Sequence, residues 1–168
     1  MNLIVAVDKQ WGIGYNKGLL VSIPADKKFF RSTTTGKTII MGRRTLESFR
    51  DGRPLPDRNN IVITTKEDYD GKGAIVVHSI EEAVKKAREL SDEDDIFVIG
   101  GGQIYKQLCG QCKKAYVTKI DYAYVADTFF PDLDADENWK LAEESEEQTC
   151  FDIEFTFCTY ENLLLEKE

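Results

Sequence analysis

Four consecutive apolar residues, Ile96-Phe97-Val98-Ile99, run straight into three glycines, Gly100-Gly101-Gly102, and an amphipathic stretch begins at once after them. A run with no polar residue fits a strand covered on both faces, because a strand with one wet face alternates instead. Such a strand calls for helices on both sides of a parallel sheet. Three adjacent residues without Cβ, set between that strand and a helix, leave bare main chain at the sheet's carboxyl end. They read either as a tight turn needing left-handed dihedrals or as a place where the backbone passes against a flat or anionic ligand.

The remaining chain repeats the strand-to-helix alternation. Leu3–Val7 reads as a buried strand and Pro24–Arg31 as a helix opened by Pro at its first position. Thr38–Met41 is predicted as a strand that turns through Gly42-Arg43-Arg44-Thr45 into a short helix. Asn60–Thr64 and Ala74–Val77 read as strands. Ser79-Ile80-Glu81-Glu82 has capping-box spacing, and Ile80, Ala83, Val84, Ala87 and Leu90 then fall on one helical stripe. After the glycines, Ile104, Tyr105 and Leu108 face inward on a helix. Ala115–Ile120 is another strand, while Trp139–Ala142 and Cys150–Tyr160 alternate like an antiparallel hairpin. The pattern predicts an α/β protein whose sheet is mostly parallel, with an antiparallel C-terminal edge. The length of 168 residues suits one domain over 1–168.

Composition excludes several classes. No apolar run approaches the ~20 residues of a membrane span, and the N-terminal segment has no basic leader, so a cytoplasmic location is expected. The net charge is −8, yet residues 132–154 alone hold ten Asp or Glu against one Lys. The acidity therefore belongs to one late segment, read as a solvated face, and the rest of the chain is near neutral. Nucleic acid needs a concentrated basic footprint that is missing here. Cys109 and Cys112 have Cys-x-x-Cys spacing but close a helix, where the dipole disfavours a thiolate. Cys150 and Cys158 lie far apart, so no metal is expected.

Ligands of such sheets bind beyond the carboxyl ends of the strands. Two junctions there suit phosphate: Met41-Gly42-Arg43-Arg44-Thr45, with free N–H groups and two arginines, and the glycine triplet followed by Gln103. Two on one sheet edge favour a dinucleotide. Neither is the G-x-G-x-x-G pattern, and Gly12-Ile13-Gly14 is too short to be one. Asp26, in the first turn of the Pro24 helix with Phe30 one turn on, reads in two ways. It either stabilises the helix dipole or presents a carboxylate to an apolar pocket, where burial would raise its pKa and suit it to proton transfer. His78 reads as an exposed strand-end residue or as a phosphate contact.

A resemblance rests on segments that are weak singly and specific in this order and spacing. They are Ile4-Val5-Ala6-Val7, Ile13-Gly14, Ile23-Pro24-Ala25-Asp26, Ile40-Met41-Gly42-Arg43-Arg44-Thr45, Gly52-Arg53-Pro54-Leu55-Pro56, Arg58-Asn59-Asn60, Val98-Ile99-Gly100-Gly101-Gly102-Gln103-Ile104-Tyr105 and Asp127-Thr128-Phe129-Phe130-Pro131. Over essentially its whole length the chain resembles the dihydrofolate reductase family. The resemblance implies an eight-stranded mixed sheet flanked by four helices and a cis bond between Gly100 and Gly101. It implies NADPH-dependent reduction of 7,8-dihydrofolate to tetrahydrofolate, by hydride transfer to C6 with a proton on N5, in support of one-carbon, thymidylate and purine metabolism. Antifolate inhibitors are implied as further ligands, and a monomer is expected.

The same resemblance implies the site residues. Asp26 would be the acidic group of the pterin pocket, supported by Thr118. Ile4, Val5, Leu19, Phe30 and Ile99 would wall the pocket, with Ala6 and Tyr105 at the nicotinamide end. Arg58 would pair with the α-carboxylate of the glutamyl tail, a fork-shaped task that Lys would fill poorly. Ala6, Ile13 and Gly14 would meet the nicotinamide side of the cofactor. Gly42, Arg43, Arg44 and Thr45, together with Ile99, Gly100, Gly101, Gly102, Gln103, Ile104 and Tyr105, would hold the rest of the dinucleotide, with Thr64 and Thr128 beside them. Arg43, Thr65, Lys66 and His78 would read the 2′-phosphate.

One departure stands out. Many members read Leu-Pro-Trp before the Asp helix, where this chain has Leu19, Leu20 and Val21. Val21 cannot donate a hydrogen bond, and Trp11, expected as a partly exposed loop aromatic, is no obvious substitute. Two rivals remain: a pyrimidine reductase of riboflavin synthesis, whose substrate lacks a glutamate tail, and a nucleotide-binding module without turnover. Arg58 and the intact Asp26 speak against them. An acidic interaction protein would rest on residues 132–154 alone.

Overall fold

A computed structural model describes residues 1–16 and 18–166. The chain runs β1 (Asn2–Val7), β2 (Gly12–Tyr15), β3 (Gly18–Leu19), α1 (Pro24–Thr34), β4 (Thr38–Gly42), α2 (Arg43–Glu47), β5 (Asn59–Ile63) and β6 (Ile75–Val77). It continues through α3 (Ile80–Leu90), β7 (Ile96–Gly100), α4 (Gly102–Leu108), β8 (Lys114–Ile120), β9 (Thr128–Phe129), β10 (Trp139–Glu144), β11 (Gln148–Cys150), β12 (Ile153–Asn162) and α5 (Leu163–Glu166). Eight strands of the main sheet follow the order β10-β12-β8-β1-β7-β4-β5-β6, and β11 extends the β12 edge. Neighbours from β8 to β6 are parallel, whereas β12 is antiparallel to β8, β10 and β11.

The apolar run of β7 is central because β1 and β4 flank it and helices cover both its faces. Ile96 and Val98 point into one layer, with Leu3, Val7 and Ile40 of neighbouring strands and Ala83, Val84, Ala87, Tyr105 and Leu108 of α3 and α4. Phe97 and Ile99 point into the other, with Ile4, Ile39, Met41, Leu46 and Val62, covered by Phe29 and Phe30 of α1. Burying each such side chain contributes roughly 1.5–3 kcal/mol, so the two-sided apolar pattern fixes β7 at the centre.

Local signals set the helices. Pro24 begins α1 without needing an N–H partner, and the helix runs one turn beyond the predicted Arg31. Ser79 caps α3 by accepting from Glu82 N, while the Glu82 carboxylate reaches back to His78 N rather than to the cap itself. Leu90 does not complete the α3 stripe: it is exposed, one position before the chain leaves the helix at Ser91. The Cys109–Gln111 turn does close α4. Burial pushes the Cys109 and Cys112 thiols up to about 11 and about 12, with no disulfide among the described residues.

Trp11 corrects the expectation of an exposed loop aromatic. It is 7% exposed, stacked on Phe130 and edge-on to Tyr160. Its φ of 64° turns the loop after β1 inward. The late acidic segment is also less uniformly solvated than its composition suggests, since Asp134 accepts from Lys119 Nζ at 2.6 Å and Tyr160 Oη at 2.7 Å. No described helix is long and apolar enough to cross a membrane.

Candidate active site

The register of the parallel strands lines up the predicted residues at one end of the sheet. Ala6 of β1 pairs with Thr118 of β8, Met41 with Gly100, Gly42 with Ile63, and Ile63 with Val77. The segments after β1, β4, β5, β6 and β7 therefore open side by side, where a sheet of this kind binds ligands.

The centre of this edge is acidic and largely apolar. Asp26 projects from the first turn of α1 and accepts a 2.6 Å hydrogen bond from Thr118 Oγ1. Burial raises the Asp26 pKa, and the Thr118 hydroxyl opposes that rise by favouring the carboxylate. Asp26 has no ion pair among the described residues. Tyr105 is buried and donates to the Ile4 carbonyl at 2.7 Å. Burial, and secondarily the charge of Asp26, hold its hydroxyl protonated far above the ordinary range. Ile4, Phe30 and Ile99 share one apolar cluster beside these groups.

The glycine junctions meet one another. The Gly100–Gly101 peptide is cis, as the resemblance implies, and Gly100 has φ 128°, which glycine tolerates best. A Cβ on Gly102 would lie 2.7 Å from Thr128 Cγ2, and one on Gly42 would lie 3.3 Å from Ile104 Cγ1. Thr45 Oγ1 is 3.5 Å from the Cβ position of Gly100, and Ile13 Cδ1 is 3.9 Å from that of Gly102. Strand β9 brings Thr128 here by pairing with β2, opposite Gly14. Ile13, Gly14, Gly42, Thr45, Gly100, Gly101, Gly102, Ile104 and Thr128 thus gather around one cradle of bare backbone.

The outer end of the edge is polar and basic. Lys66 N–H donates to Thr64 Oγ1, and the His78 ring bonds the Thr64 carbonyl through Nδ1 at 2.8 Å. A carbonyl only accepts, so Nδ1 carries the proton and Nε2 is free to face outward. Thr65, Lys66 and His78 are exposed. Arg43 is held by Glu47, with Nη1 2.9 Å from Oε1, whereas Arg44 and Gln103 are exposed and make no side-chain hydrogen bond among the described residues. Arg58 directly precedes β5, at the strand end away from the glycine junctions, and is half-buried, with Nε donating to the Pro56 carbonyl at 3.0 Å. Burial and the neighbouring Arg31 lower its pKa, and neither guanidinium has a carboxylate partner among the described residues.

Two predicted pocket residues differ from the rest in exposure and facing. Leu19 is 80% exposed on β3. Val5 alternates with Ile4 and packs into the layer of α3 and α4, so only its backbone faces the pocket edge. Two aspartates to which sequence reasoning assigns no role organise the loops. Buried Asp8 accepts from Gln10 N, Gly12 N and Tyr124 N, joining the loop after β1 to the segment before β9. Asp127 accepts from Asn16 N at 2.9 Å and ties the same two loops. An Asp directly after a buried strand is a turn signal of the Asx kind, and it was available at Asp8. Among the described residues no group of three or more His, Cys, Asp or Glu could hold a metal ion.

A family model described as dihydrofolate reductase matches residues 1–162. The chain belongs to the dihydrofolate reductase family. It is 40% identical to the dihydrofolate reductase of Haemophilus influenzae over 162 residues, covering 94% of this chain and 97% of that one. It is 38% identical to that of Bacillus subtilis over 168 residues, covering 100% and 95%. A solved dihydrofolate reductase from Enterococcus faecalis, complexed with NADP(H) and RAB-propyl, superposes with a TM-score of 0.79 at 31% identity, covering 96% of this chain and 95% of that one.

Proposed function

We propose that Asp26 is the group through which this chain carries out the NADPH-dependent reduction of 7,8-dihydrofolate to tetrahydrofolate. The observation that carries the assignment is a half-buried carboxyl with a single hydroxyl donor, Thr118, and no cation beside it. Such a group gains most from a ligand that brings its own N–H donors and positive charge. A protonated pterin does both. Asp26 in its charged form stabilises a proton on N5 of the substrate, which makes the adjoining C6 electrophilic, and solvent delivers the proton. Ile4, Phe30 and Ile99 hold the ring and exclude water, while Tyr105 stays neutral and anchored to the Ile4 carbonyl. Arg58 holds the α-carboxylate of the glutamyl tail.

The residues of the cradle fit the cofactor. Gly42 and Gly102 let the backbone pack directly against Ile104 and Thr128, and the free N–H groups at these two strand-to-helix junctions suit a pyrophosphate. Arg44, Thr65, Lys66 and His78 offer exposed donors for the 2′-phosphate, and Arg43 joins them by exchanging Glu47 for phosphate. Ala6, Ile13, Gly14 and Thr128 adjoin the nicotinamide end. NADPH supplies the hydride when bound, and the chain's part is to hold its ring within about 3–3.5 Å of C6.

NADPH oxidation with dihydrofolate, with NADH run beside it, tests the reading. Dihydrofolate-dependent turnover with NADPH preferred supports it. Bound NADPH without turnover would favour the pyrimidine reductase or a silent binding module. The chain is expected to act as a cytoplasmic monomer, and antifolates are expected to compete with dihydrofolate.

A further inference from the structure

Next to the Asp26–Thr118 pair, between α1 and the antiparallel edge, lies a cavity of about 340 Å³. None of its lining residues is assigned above to substrate or cofactor. Its floor is aromatic. Phe29 of α1 lies 5.0 Å from Phe157 and 6.4 Å from Tyr116, ring centre to ring centre, and all three are only half-buried. Its rim is acidic, formed by Glu143, Glu144 and Ser145.

The rim is set by a strand irregularity. Leu141 faces Tyr160 and Glu143 faces Thr159, so Ala142 is the extra residue of a bulge. In regular pairing Ala142 would face Thr159. The bulge turns Glu143 to the side shared by Thr159 and Phe157, above the rings, and bulges commonly re-aim a side chain in this way. Ser145 fixes the strand beyond it, exchanging bonds with the Phe157 backbone through its own N–H and Oγ. Neither Glu143 nor Glu144 has an ion pair or a side-chain hydrogen bond among the described residues.

We propose that this cavity binds a small organic ammonium ion, its apolar body on Phe29, Tyr116 and Phe157 and its charge at Glu143. Ring faces and a carboxylate attract the same sign of charge, and ring faces also take up apolar surface. An anion would meet the Glu143 carboxylate, and a neutral body would leave it without a counter-ion, while Glu144, opposite Cys158, faces the other side of the strand. The volume is at the lower end of the ~300–1,000 Å³ of small-molecule sites, which suits an aralkylamine.

The probe is phenethylammonium, titrated into the whole protein and followed by amide NMR, with 2-phenylethanol and phenylacetate as neutral and anionic analogues. Saturable shifts at Tyr116, Glu143 to Ser145 and Phe157 are expected with the ammonium ion. Glu143→Gln, an exposed change on an edge strand, should weaken binding about fivefold or more and leave dihydrofolate turnover unchanged. Equal affinity for 2-phenylethanol, unchanged affinity in Glu143→Gln, or shifts confined to another surface would overturn the proposal. The binding readout does not depend on the reductase reading.

Discussion

Thr118 Oγ1 donates to Asp26 Oδ1 at 2.6 Å, between residues 92 positions apart. The bond joins the first turn of α1 to the middle of β8, and it opposes the rise that burial imposes on the Asp26 pKa. This one hydroxyl favours the charged form of a half-buried carboxyl.

Replacing Asp26 by Asn keeps the acceptor for Thr118 and removes the charge. Turnover at neutral pH should fall by roughly 10²–10⁴-fold, with NADPH affinity unchanged in a fluorescence titration. Near-normal turnover would remove Asp26 from its role. The same variant tests the linkage. A carboxyl whose pKa is raised on folding binds its proton more tightly in the native state, so its contribution to stability is full at low pH and is lost as pH rises through the folded pKa. Asp26→Asn should therefore melt higher than the parent at pH 7, with the gain shrinking as pH falls toward the ordinary value of 3.8.

Thr118→Val deletes the donor and keeps the shape. The carboxylate then loses its one stabilising hydrogen bond, so the Asp26 pKa rises further and the pH–rate profile moves upward with it. Thr118→Ser keeps the donor and should leave the profile in place. An unmoved profile in the valine variant would show that the hydroxyl does not tune Asp26.

Gly102→Ala forces a Cβ to within 2.7 Å of Thr128 Cγ2. Thr128 belongs to β9, so the clash spreads to β2 and the loop that closes the cofactor side. NADPH affinity should weaken by about tenfold or more, the ~1–3 kcal/mol typical of overpacking. Adding Thr128→Ser removes the offending methyl and should return most of the loss. A double variant as weak as the single one would show that the glycine is needed for another reason.

Much of this was legible beforehand, and for identifiable reasons. The two-sided apolar pattern of Ile96–Ile99 dictates the parallel centre, and Pro24 and Ser79 mark helix starts. Asp26 and the glycine triplet were recognisable as residue types at strand and helix ends. What sequence could not supply is distance. The bond of Thr118 to Asp26 was expected from the family resemblance alone, since nothing in a threonine 92 positions away announces it, and the burial of Trp11 depends on Phe130 and Tyr160, far along the chain. Exposure and facing were not legible either: Leu19 lies exposed on the β2–β3 hairpin, and Val5, obeying strand alternation, faces the layer of α3 and α4. At Asp8 the sequence offers a local turn signal, but its bond to Tyr124 N, far along the chain, has none, because a backbone N–H carries no residue type.

Val21 is the remaining departure from the family pattern, and the structure gives it a setting. It packs against the cluster of Ile23, Ile120 and Phe155, beside Ala6. Ile23 is the residue from which α1 starts, three before Asp26, and Ile120 lies on the same side of β8 as Thr118. An indole at position 21 would bring an N–H donor into this side of the pocket, where Val21 offers only methyl groups, and such a donor orders water near a carboxylate. Val21→Trp should therefore change the pH dependence of turnover while leaving NADPH affinity as it is, because the glycine cradle is formed by other residues. Rate profiles and cofactor titrations on the two proteins separate the outcomes. A changed affinity with an unchanged pH profile would mean that position 21 acts on the cofactor side and not on the proton.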